Sequence, residues 1–98
     1  MKTFDEIKLF LSQHKEEIHS QYKVKEIGVF GSFAKSEHHH RSDIDILVKF
    51  EEGQTRFDNY IDLKFYLEKR FRRKVDLVLK DSIRKELKQI ILRETVYV

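Results

Sequence analysis

The sequence has no cysteine and no proline, and only three glycines, among its 98 residues. Without cysteine there is neither a disulfide framework nor a thiolate metal site, which fits a reducing cytoplasm. No apolar run approaches the roughly 18 residues that a membrane span requires, so no membrane association is expected. Charge of one sign is not in excess either. Twenty Lys and Arg face 17 Asp and Glu, for a net charge of +3. A dedicated nucleic-acid binder carries a stronger basic excess, so stable nucleic-acid binding is not expected. The length suits one small domain over residues 1–98. Such a domain buries only about 60–65% of its unfolded surface, so the core is thin. A polymerase or tRNA-tailing enzyme needs further domains to grip its nucleic acid, and this length leaves no room for them. What is present argues for a folded protein: 40% hydrophobic residues and 12% aromatics, with eight Phe. The opening MKTFDEIKLF carries acids within its apolar stretch and reads as a helix start, not a targeting segment.

Periodicity alternates between helix and strand. Residues 3–20 place Phe4, Ile7, Phe10, Leu11 and Ile18 on one helical stripe, with Thr3 and Glu6 as a capping box. Val24 to Phe30 is β-rich and stops at Gly31-Ser32, and residues 32–37 suit a short helix. Asp43 to Phe50 reads as a strand, with Ile44, Ile46 and Val48 on one face and Asp43, Asp45 and Leu47 on the other. A turn at Gly53-Gln54 leads to a helix over residues 57–71, whose predicted stripe is Phe57, Tyr60, Ile61, Lys64, Phe65 and Leu67. Residues 74–79 form a third strand. Residues 82–93 form a last helix capped by Asp81 or Ser82, with Ile83, Leu87, Ile90 and Ile91 facing inward. The tail from Thr95 to Val98 is β-prone. This order predicts an α/β (α+β) protein, a small mixed sheet covered by helices, with a ligand at the strand ends.

Three acids lie within strands, where acids are depleted. Asp43 and Asp45 leave the same face of their strand, roughly 6–7 Å apart. Alone they repel, and one tends to keep its proton. A hard divalent cation such as Mg²⁺ removes that conflict. Asp76 lies in another apolar run, Val75 to Leu79, and joins the pair if the second and third strands are neighbours. Three carboxylates would then serve two ions about 3.5–4 Å apart. Gly31-Ser32 stands between a strand and a helix, where backbone N–H groups attract phosphate and glycine permits close approach. Each feature has a plainer explanation: acids on a solvent-facing strand, or a serine N-cap in an ordinary turn.

Their combination is more specific. Gly31-Ser32, ten intervening residues and then Asp43-x-Asp45 resembles the signature of the DNA polymerase β superfamily. The stretches Gly28 to Glu37 and Ser42 to Val48 are similar to those of the minimal nucleotidyltransferase family, short antitoxin-type proteins often paired with HEPN-domain toxins. Length, element order and the closing Glu94 to Val98 extend the resemblance over nearly the whole chain. The resemblance implies a nucleotidyltransferase fold of the DNA polymerase β type. It implies that Gly31 and Ser32, with Lys35, hold the triphosphate of ATP. Asp43 and Asp45 would bind Mg²⁺, and Asp76 would bind the catalytic ion and help to deprotonate the attacking hydroxyl. The partner implied is a HEPN-type toxin that receives AMP on a hydroxyl, a Tyr. Many members carry Gly-Ser-x-Ala-Arg-Gly where this chain has Lys35 and Ser36, which keeps the charge but loses the bidentate fork. Two other readings stand beside this one: nucleotidyl transfer to a small hydroxylated molecule, or an antitoxin that masks its toxin without catalysis.

Other features carry less. The adjacent His38-His39-His40 cannot easily all face one ion, although their loop could lie near nucleotide or acceptor. His14 and His19 read as helix-surface or boundary residues. Lys69, Arg70, Arg72, Arg73 and Lys74 suit a solvated helix end beside the negative pole of the dipole, or else a docking surface.

Overall fold

Thr3 opens the first helix as its capping box predicts: the Glu6 amide donates to Thr3 Oγ1 at 3.1 Å, and the Thr3 hydroxyl donates to the Glu6 carboxylate at 3.2 Å. The structure, a computed structural model, describes residues 3–39 and 42–98. Among them the elements are α1 (Phe4–Gln13), α2 (Lys15–Tyr22), β1 (Val24–Phe30), α3 (Gly31–Ala34), β2 (Ile44–Phe50), α4 (Phe57–Phe71), β3 (Val75–Leu79), a 3₁₀ turn (Lys80–Ser82), α5 (Lys85–Glu94) and β4 (Val96–Tyr97). The helix expected over residues 3–20 is two helices. His14 (φ −108°, ψ 14°) interrupts it, and its ring stacks on Phe10 with Nδ1 at 2.9 Å from the Phe10 carbonyl. The Phe10 carbonyl thus takes both the His14 backbone N–H, at 3.0 Å, and the ring nitrogen of the same residue.

The strands form one mixed sheet in the order β3-β2-β1-β4. β1 pairs antiparallel with β2 and β4, and β2 pairs parallel with β3 through the α4 crossover. The tail is therefore an edge strand. Gly28 permits it, because a Cβ there would meet Thr95 Cγ2 at 2.7 Å and the Val96 carbonyl at 2.9 Å.

Alternation along the strands divides the sheet into two faces. Ile27 and Val29 of β1, Ile44, Ile46 and Val48 of β2, and Val75 and Leu77 of β3 face the helices α1, α2 and α4 and are buried. Burying each such side chain contributes about 1.5–3 kcal/mol, which a thin core needs. Tyr60 adds a hydrogen bond from α4 to the Leu77 carbonyl at 2.6 Å. Tyr66 donates to Glu17 of α2 at 3.1 Å. The inner stripe of α4 is Leu63, Leu67 and Phe71. Of the stripe expected from sequence, Leu67 is buried, but Phe57 is 80% and Phe65 60% exposed. The expected stripe began one helical face away, because two aromatics outside the core mimic the periodicity of buried residues.

α5 departs further from expectation. It starts at Lys85 after Arg84, with no side-chain cap, so neither Asp81 nor Ser82 caps it. The intervening 3₁₀ turn carries both of those residues. None of its residues is buried; Leu87 is 45% and Ile90 54% exposed. The helix packs on α3 and on β1, an inner strand of the sheet, and contributes no residue to the buried core. Its apolar pattern is real, but the structure provides no second layer to cover it.

Glycine scarcity has a local cost. Lys23, Ser36 and Arg72 hold positive φ of 60°, 57° and 54°, a region that L-residues enter at a penalty. Ser36 is the C′ residue of a Schellman motif: Glu37 N–H donates to the Ser32 carbonyl at 2.8 Å, and Ser36 N–H to the Phe33 carbonyl at 3.1 Å. This is the position where many relatives of the resembled family carry glycine. Replacing Ser36 by Gly is expected to stabilise the protein by about 0.5–1 kcal/mol. Thermal unfolding should show a Tm higher by a few degrees; an unchanged or lower Tm would contradict the strain.

Candidate active site

The face of the sheet opposite α1, α2 and α4 carries the acids. The parallel register sets Asp45 of β2 opposite Asp76 of β3, and the antiparallel register sets Phe30 opposite Asp45. The second and third strands are thus neighbours, the condition on which the grouping of Asp76 with the other two rested. Leu47 and Lys49 of β2, Val78 of β3 and Gly28 of β1 continue along the same face by alternation.

Asp45 is half-buried, whereas Asp43 and Asp76 are exposed. Burial pushes the Asp45 carboxyl up to about 6, helped by the charges of Asp76 and Asp43 and by a hydrogen bond with Asp76. Two carboxyl groups that share a hydrogen bond hold a proton that a cation would displace. Among the described residues, no three ligating side chains enclose an ion by themselves. Mg²⁺ ordinarily takes one or two carboxylates and completes its shell with substrate phosphate and water, and the Asp45–Asp76 pair, with Asp43 just before it on the chain, is a donor set of that kind.

Gly31 lies against this pair. Its φ is +71°, and a Cβ there would collide with the Asp45 carboxylate. A side chain at 31 is thus excluded twice, by backbone conformation and by space. From Gly31 the chain turns directly into α3, which begins without a side-chain cap. The N–H groups of that first turn lack intrahelical acceptors. They lie one residue from a cluster of acids, so an anion there would face repulsion unless a cation stood between.

Lys35, expected beside the phosphates, is held elsewhere. Its Nζ lies 2.7 Å from Glu94 Oε1 at the end of α5. The hydrogen bond with Glu94 raises the Lys35 pKa. Glu94 has no signal in the motif; only the return of α5 beside α3 brings it there. Of the histidines, His38 stacks on Phe33 with ring centroids 3.9 Å apart, and His39 lies in the turn before β2. His40, with Arg41, lies outside the described residues. His19 is tied to the core edge, its Nδ1 2.8 Å from the Val24 carbonyl.

The raised Asp45 carboxyl makes a pH-dependent stability. The native state keeps that proton up to pH about 6, while the unfolded chain loses it near 3.8. Stability from this group is therefore present below pH 3.8 and is lost as pH rises through 6. Without added metal, Asp45→Asn should be more stable than the parent above pH 6.5, by on the order of 1 kcal/mol after discounting for half-exposure. The difference should shrink toward zero near pH 4. Melting curves across this range check it, and a difference independent of pH would exclude the carboxyl pair as its source.

Comparison with known proteins agrees with this geometry. Residues 11–98 match the family model of the nucleotidyltransferase domain. Protein adenylyltransferase MntA of Thermococcus cleftensis is 44% identical over 98 residues, covering 100% of this chain and 98% of that one. A solved structure described as a candidate minimal nucleotidyltransferase superposes with a TM-score of 0.81 at 29% identity, covering 96% of this chain and 94% of that chain. A chain of a toxin–antitoxin solved with AMP-PNP shares the fold, with a TM-score of 0.70 at 24% identity over 87% of this chain and 69% of that one. The chain thus belongs to the nucleotidyltransferase family, as a nucleotidyltransferase of its minimal type.

Proposed function

We propose that this chain is a cytoplasmic antitoxin, a single domain over residues 1–98, that transfers AMP from ATP to a tyrosine hydroxyl of a cognate HEPN-type toxin. The observation that carries the reading is the close approach of Gly31 to the Asp45 carboxylate, which sets the glycine turn against the Asp45–Asp76 pair. The 44% identity to a protein adenylyltransferase along the full chain supports AMP as the transferred group. The fold shared with a toxin–antitoxin chain fits a protein acceptor.

In this reading the first-turn amides of α3, with Ser32, hold the triphosphate, and Lys35 turns from Glu94 to reach it. Asp43, Asp45 and Asp76 hold two Mg²⁺ ions, which supply charge neutralisation at phosphorus and on the pyrophosphate. The acceptor oxygen bonds to the α-phosphorus, and the bond from that phosphorus to the oxygen bridging to the β-phosphate breaks. Pyrophosphate leaves, and the hydroxyl proton passes to the Asp76 carboxylate. Positioning and electrostatics suffice for such a transfer, without a covalent nucleophile. Asp43 and Asp76 are exposed, so an acceptor side chain can approach from solvent.

Incubation with α-labelled ATP, Mg²⁺ and the product of the adjacent gene tests this. Label should appear on the partner and disappear with the Asp43→Asn, Asp45→Asn double variant. Neutralisation of the toxin that survives in the double variant, with no label transferred, would sink the reading and favour a masking antitoxin. Lys35 gives a second expectation. Glu94→Gln frees it, so KM for ATP should fall about two- to fivefold with kcat little changed. A KM that stays the same or rises would mean that Lys35 does not serve the nucleotide.

A further inference from the structure

Arg73 stands apart in the basic cluster that ends α4. Lys69, Arg70, Arg72 and Lys74 are exposed, as a solvated helix end should be, but Arg73 is partly buried. Arg72 in the left-handed conformation turns the chain, with its N–H bonded to the Glu68 carbonyl at 2.8 Å. That turn aims Arg73 back over the start of β2. Its Nη1 donates to the Ser42 carbonyl at 2.9 Å and to the His39 carbonyl at 3.2 Å. The same guanidinium lies 5.1 Å from the centre of the Phe33 ring.

These contacts join three parts of the site. Ser42 immediately precedes Asp43. Phe33 immediately follows Ser32 and is fully buried. Arg73 itself leads into β3, three residues before Asp76, and the neighbouring Lys74 carbonyl accepts the Ile44 amide at 2.9 Å as the first rung between β2 and β3. The turn at Ser42 is closed on itself as well: its N–H donates to the His39 carbonyl at 2.9 Å, and its Oγ accepts the His39 N–H at 2.9 Å. One planar side chain thus spans the phosphate turn, the approach to the first carboxylate and the strand of the third. A guanidinium can do this because it is flat, permanently charged and carries five donors in a fixed fork. A lysine offers a point charge with no face to lay on a ring.

We infer that Arg73 is a positioning residue, which fixes the spacing between the phosphate turn at Ser32 and the metal carboxylates at Asp43 and Asp76, so that cation and triphosphate bind as one unit. The inference rests on the reading of this face as a Mg²⁺ and ATP site, but not on the identity of the acceptor. A residue that sets the distance between two half-sites affects their coupling more than either half alone.

The test measures binding of α,β-methylene-ATP, whose α–β link cannot be cleaved, with and without Mn²⁺. In Arg73→Met, affinity without metal should change less than about twofold, and the gain on adding Mn²⁺ should fall about tenfold. Arg73→Lys should recover only part of that gain. The melting temperature of the ligand-free protein serves as the control for folding. An undiminished gain in a folded Arg73→Met overturns the inference. If that variant does not fold, Arg73→Lys decides: a reduced gain supports positioning, and a gain equal to the parent's overturns it. A parent protein that binds the analogue and Mn²⁺ together but labels no partner would refute the proposed acceptor and leave the role of Arg73 standing.

Discussion

The parallel pairing of β2 with β3 is the constraint from which the site follows. It places Asp45 beside Asp76, on the face that α1, α2 and α4 leave uncovered. The core-facing residues of both strands, Ile44, Ile46, Val48, Val75 and Leu77, are buried against those helices. Register is therefore locked, because a slip by one residue would send every apolar side chain to solvent and every acid into the core. The hydrophobic effect on one face thereby holds two carboxyl groups together on the other, where they would otherwise separate. Fixed repulsion of this kind is a reserve of binding free energy: a cation that enters relieves it.

The glycine turn belongs to the same arrangement. Gly31 has no side chain because the Asp45 carboxylate occupies that space. The glycine turn and the Asp45 carboxylate are consequently packed against each other in the fold. Around this fixed centre the charged side chains are less committed. Lys35 is exposed and tied to Glu94, an arrangement that keeps the cation near the site without placing it there. Arg73 behaves oppositely, partly buried and engaged with backbone carbonyls. Two basic residues, both plain in the sequence, thus differ in kind: one is an exposed lysine paired with a carboxylate, the other a partly buried arginine bonded to backbone carbonyls.

The thin core shapes what remains exposed. Three helices on one face consume most of the large apolar residues, and α5 rests only on α3 and β1. Leu87 and Ile90 stay in solvent, as do Phe57 and Phe65 of α4. Helical periodicity reports that a helix has an apolar face, but not that a second surface exists to cover it. That is why the strands and the bounds of α4 were legible from residues 24–30, 44–50 and 57–71, while the inner faces of α4 and α5 were not. The break at His14 was hidden for a related reason. It depends on a ring folding back on Phe10, and nothing in the apolar spacing marks it.

By itself the sequence determined the local pieces: the strand that stops at Gly31, the short turn into α3, and the alternation along β2 that turns Asp45 away from Ile44 and Ile46, although Asp43, expected within that strand, lies just before it. These rest on steric rules acting over a few residues, so they can be read without knowing the rest of the chain. It also carried a spacing specific enough to indicate a nucleotidyltransferase. The tertiary structure alone decided that Asp76 lies beside Asp45, that Glu94 holds Lys35, and that Arg73 reaches Ser42 and Phe33. Those contacts join residues 31 to 59 positions apart. They arise because burial of apolar surface chooses which strands and helices meet, and no short-range pattern encodes that choice.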